Sequence, residues 1–90
     1  MTGADEYDIS EGEINSLGYR LLYGDRRPED AVKIFLLNTT EHPASSNAFD
    51  SLGEACQVVG DTASARKYYS IALEKDPQNL HARRSLDKLR

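Results

Sequence analysis

The tightest constraint on what this chain can fold into comes from its small residues. Between Ser46 and Asn79, Phe49, Leu52, Gly53 and Cys56 recur at helical spacing, Gly60-Asp61 interrupts, and Ala65, Tyr69, Ala72 and Leu73 recur until Asp76-Pro77 stops the pattern. This spacing predicts two helices packed as a hairpin. A glycine on the buried stripe of one helix, facing alanines on the next, lets two backbones approach closely, which a generic amphipathic helix does not require.

The same arrangement occurs once more, upstream. Ile14, Leu17, Gly18 and Leu21 precede Phe49, Leu52, Gly53 and Cys56 by 35 positions, whereas Ala31, Phe35 and Pro43 precede Ala65, Tyr69 and Pro77 by 34. The turn between the first two helices is therefore expected to absorb one extra residue. Ser10 followed by Glu13 is a capping-box pattern that predicts a helix start there. Pro28 suits the first turn of the second helix, and Glu29 and Asp30 suit its positive end. Asn38 stands where the downstream copy has Ala72, and its amide is expected either to find a partner or to disturb that helix end. His42, before Pro43, reads as a turn residue. After Pro77, Asn79 is placed to cap a last helix whose apolar residues are Leu80, Ala82, Leu86 and Leu89. The expected organisation is all-α: an acidic, flexible lead-in over 1–9, one helix pair over 10–45, a second over 46–79, and a closing amphipathic helix over 80–90.

With 90 residues the chain forms one domain at most, and a short array depends on every interface it has. Hydrophobic content of 39%, charged content of 29% and a mean hydropathy of -0.61 indicate a soluble globular chain with no bilayer-spanning run. No secretory leader is visible, so a cytoplasmic location is the default expectation. A net charge of -4 argues against nucleic-acid binding, which needs a cationic footprint. The charge is unevenly spread: Asp5, Glu6, Asp8, Glu11 and Glu13 open the chain, and Arg83, Arg84, Lys88 and Arg90 close it. The single cysteine, Cys56, falls on an apolar stripe and reads as a small buried hydrophobe.

No catalytic constellation is legible. The serines lack nucleophile-elbow spacing, the glycines belong to no phosphate loop, and His42 and His81 fall on separate elements without a ligand cluster, so no cofactor, metal or enzymatic activity is expected. Asp50 and Glu54, one turn apart, read as a solvated or ion-paired face and not as an acid–base pair.

The aromatic-x-x-Leu-Gly of Phe49, Leu52 and Gly53, followed by Ala65, Tyr69, Ala72 and Pro77, resembles a tetratricopeptide repeat (TPR) over a full 34-residue unit. The resemblance implies two antiparallel helix pairs plus a capping helix, stacked right-handedly, with a protein or peptide bound along a concave face. Residues of the first helix of each pair that lie off the buried stripe would line that face: Asn15, Tyr19, Leu22 and Tyr23, then Asn47, Asp50, Glu54 and Gln57, then His81, Arg84 and Lys88 on the cap. Asp50 and Glu54 lie 34 residues before Arg84 and Lys88 and are expected to neutralise them across the groove. Tyr19 and Tyr23 suit recognition or packing against the N-terminal segment. With Tyr19, Ser51 and Ser85 at its positions, the chain departs from the chaperone-clamping subset of the family. The stretches NSLGYRLL, AVKIFLLN and SSNAFDSLGEA are also similar to repeat segments appended to bacterial serine hydrolases, which would make the chain a non-catalytic accessory domain. A short array with an uncovered first helix is expected to be a monomer that self-associates weakly.

Overall fold

A computed structural model describes residues 10–89, and the expected flexible lead-in over 1–9 lies outside them. Five helices follow one another: α1 (Glu11–Tyr19), running on into a π-helical turn (Arg20–Gly24), α2 (Pro28–Glu41), α3 (Ser46–Val58), α4 (Thr62–Lys75) and α5 (Leu80–Lys88). Each packs on the next, giving an all-α array measuring 48 × 30 × 16 Å with no strand among the described residues.

The helix starts follow from local chemistry. Ser10 and Glu13 form the expected capping box. Ser45, Asp61 and Asn79 cap α3, α4 and α5 by accepting the backbone N–H of Ala48, Ser64 and Ala82 at 3.0, 3.1 and 3.0 Å, which satisfies donors a helix leaves unpaired. Pro28 opens α2 without a side-chain cap.

Phe35 and Tyr69 are the large side chains at the centre of the two hairpins, with Ala31, Leu52, Ala55, Ala65, Ala72 and Ala82 closed around them. The stripe glycines are required by these rings. A Cβ on Gly18 would run into the ring of Phe35, and one on Gly53 would come within 2.9 Å of the ring of Tyr69. Cys56 is buried as expected, and burial pushes its thiol pKa up.

Three expectations are corrected. The extra residue of the first pair lies inside the helix and not in the turn. The 35-residue offset that relates Gly18 to Gly53 has become 34 by Leu22 and Cys56, which are 3% and 4% exposed, and the intervening helix widens into the π turn to hold the added residue. From there the two turns match: Arg26 and Gly60 both have positive φ, at 55° and 88°. In line with an uncovered first helix, Leu17 is 44% exposed although its counterpart Leu52 is fully buried, because α2 and α4 both pack near Leu52 and no described helix precedes α1. Asn38 neither finds a partner nor frays the helix: α2 continues to Glu41, and the amide is completely buried with both polar atoms unpaired. Finally, Leu80 is exposed, so the cap rests on Ala82, Leu86 and Leu89.

Candidate functional site

The first helices of the pairs, α1 and α3, and the cap α5 meet through polar side chains along one face. Ser51 on α3 donates to Asn15 Oδ1 at 2.7 Å and lies 3.1 Å from the Tyr19 hydroxyl. Tyr19 donates in turn to Glu54 Oε1 at 3.0 Å, and Tyr23 donates to the other oxygen of the same carboxylate. The two tyrosines stack with centroids 6.2 Å apart and planes within 9°, and Tyr19 sets its edge against Phe35 at 5.0 Å. Burial, reinforced by Glu54, raises both phenols, Tyr23 to about 12 and Tyr19 higher still. Both therefore remain neutral donors at physiological pH.

On the other side of α3, Asp50 Oδ1 is 2.7 Å from His81 Nδ1, and Glu54 Oε1 is 3.9 Å from His81 Nε2. Towards an ionised carboxylate, which only accepts, Nδ1 carries the proton. Asp50 is 6% exposed; burial raises its pKa, and the hydrogen bond and charge of His81 act against that rise. Tyr69, from the core of the second hairpin, sends its hydroxyl to Gln57 Oε1 at 3.0 Å and places its ring edge-on to His81 at 6.3 Å. Burial also raises the Tyr69 phenol, to about 12.

Above this network lies an open groove of about 390 Å³ at the C-terminal ends of α1 and α3. Tyr23, Glu54, Gln57 and Lys88, all expected on the concave face, meet there with His81. Asn15, Tyr19 and Asp50 lie beneath or beside it as half-buried or buried supports. Asn47 and Arg84 are exposed but do not line it.

Two placements are corrected. Leu22 belongs to the core, because the π turn carries it to the buried position of Cys56 and gives the groove position to Tyr23. Asp50 and Glu54 do not form an exposed pair matched to Arg84 and Lys88: they engage His81 and the tyrosines. Equivalent residues on helices stacked in parallel point the same way, so Asp50 points at α5 while Arg84 points onward. The facing residue is His81, nearly a turn earlier. Sequence reasoning also missed Val58, Ser85 and the hydroxyl end of Tyr69 in the groove. Ser85 follows His81 by one turn, a spacing that marked it in principle; Tyr69 gave no such mark, since its ring accounts fully for its place in the pattern.

No protein-family model matches the chain, and no curated protein matches it. No helix among the described residues is long and apolar enough to cross a membrane.

Proposed function

We propose that the chain is a TPR-type protein-interaction module that holds a peptide or a helix of a protein partner in the groove over α1, α3 and α5. The repeat reading is supported by two hairpins built alike, each with a stripe glycine seated on the central aromatic ring of its partner helix. The observation that carries the function is the convergence of Tyr23, Glu54, Gln57, His81 and Lys88 on one open surface. Its floor is already fixed by hydrogen bonds, so little side-chain freedom is lost on binding. Tyr23 presents a broad ring face, Lys88 presents donors, and His81, whose Nδ1 proton is engaged by Asp50, presents its Nε2 edge, the mixture of apolar area and polar tips that anchors a partner segment.

Selection of binding peptides from a displayed library on the immobilised chain, followed by titration calorimetry, tests the reading. Tyr23→Ala combined with His81→Ala is expected to weaken a selected peptide by about tenfold or more, the scale of an interface anchor, while the helical circular dichroism is kept. A folded double variant that binds the selected peptides as the parent does removes the groove assignment.

A further inference from the structure

A second surface, independent of the groove, lies on the outer side of α1. Leu17 stands there 44% exposed in an open trough of about 660 Å³ lined by Ser10, Gly12, Glu13, Ser16, Leu17 and Arg20. Its counterpart Leu52 is wholly covered, so this is the helix face the rest of the array leaves without a neighbour. Three properties say what fits it. Gly12 and Ser16, one turn apart, leave room for close approach of another helix. Leu17 supplies the apolar contact. Glu13 and Arg20 sit at the two ends of the face, two turns or about 10 Å apart, too far to neutralise each other within one helix.

We propose that this face of α1 is the contact of a symmetric dimer, packed antiparallel on α1 of a second copy of the chain about an axis passing between Ser16 and Leu17. That axis is fixed by the charges: positions 13 and 20 are equidistant from it, so Glu13 of each copy falls opposite Arg20 of the other. It also sets Leu17 of each copy on Ser16 of the other, a large residue against a small one. The contact is isologous and closes at two copies, unlike a head-to-tail stack of α1 on α5, which would propagate. A face three turns long buries far less than the roughly 1,600 Å² of a standard stable interface, so the dimer forms only as concentration rises.

Sedimentation equilibrium over a concentration series, with circular dichroism to confirm folding, tests this. The parent is expected to show a monomer–dimer equilibrium without larger species. Arg20→Glu sets like charges opposite each other twice and is expected to weaken the dimer about tenfold, while Glu13→Gln with Arg20→Glu, which keeps an acceptor in the capping box and removes the repulsion, recovers most of that loss. Ser16→Cys, beside the axis, is expected to give a disulfide-linked dimer on oxidation, whereas the parent, whose Cys56 is buried, gives none. A chain that stays monomeric at every concentration, because its own residues 1–9 cover the trough or because nothing does, overturns the proposal. So does association that Arg20→Glu leaves unchanged and Lys88→Glu weakens, the mark of head-to-tail stacking.

Discussion

The two helix pairs follow one plan, but they execute it with different residues. In the second pair, Leu52 is covered on all sides, the turn to α4 places Gly60 at φ 88°, and Ala72 closes the hairpin. In the first, Leu17 faces outward, Arg26 takes the left-handed position at φ 55°, and a buried, unpaired Asn38 fills the place of Ala72. Each difference leaves the first pair less stable at an equivalent point. The tightest packing of the array thus lies between α3 and α4, and the first pair joins it through α2 packed on α3 and through polar contacts from α1 such as Tyr19 to Ser51 and Glu54.

The sharpest way to break this comparison is a matched truncation. Leu52→Ala is expected to cost about 2–5 kcal/mol of unfolding free energy and Leu17→Ala less than about 1 kcal/mol, because only the first removes fully buried methyl groups. Equal losses in chemical denaturation would show that Leu17 is covered in solution.

Asn38→Ala tests the same difference with the opposite sign. Removing an amide whose donor and acceptor are both buried and unpaired is expected to stabilise the chain by about 1 kcal/mol, the desolvation relieved less the small void left behind. A destabilised variant would mean that the amide is paired in solution, for instance through a bound water.

The smallest effect is at the turn. Arg26→Gly relieves a side chain from left-handed backbone at some cost in unfolded-chain entropy, for a net gain of about 0.5 kcal/mol. The corresponding Gly60→Arg should lose at least as much, and a thermal melt of the pair reads both.

The fold was legible because burial leaves marks on residue size: the small residues marked the buried stripes, although Gly18 and Gly53 sit against the rings of Phe35 and Tyr69 and not against the expected alanines. The groove was legible only in part. Glu54, Gln57 and Lys88 fall where a regular repeat places them, yet Leu22 and Tyr23 do not, since a widened turn inside a helix changes which side faces the core without any distinctive residue to announce it. The pairing of Asp50 with His81 was hidden for another reason. Repeat arithmetic relates residues that are equivalent, whereas a hydrogen bond joins residues that face each other, and in stacked parallel helices these are different pairs.

The π turn has a further consequence for how such a surface changes over time. Had α1 kept an even pitch, Leu21 would occupy the position of Cys56 and Leu22 would stand beside the groove; with the added residue, Leu22 goes inward and Tyr23 is displayed instead. A single inserted codon can therefore exchange an aliphatic for an aromatic side chain beside the groove while the aligned core keeps its composition. Insertion and deletion become a means of editing the exposed face of a helical array, separate from point substitution and invisible to a comparison that scores positions one at a time.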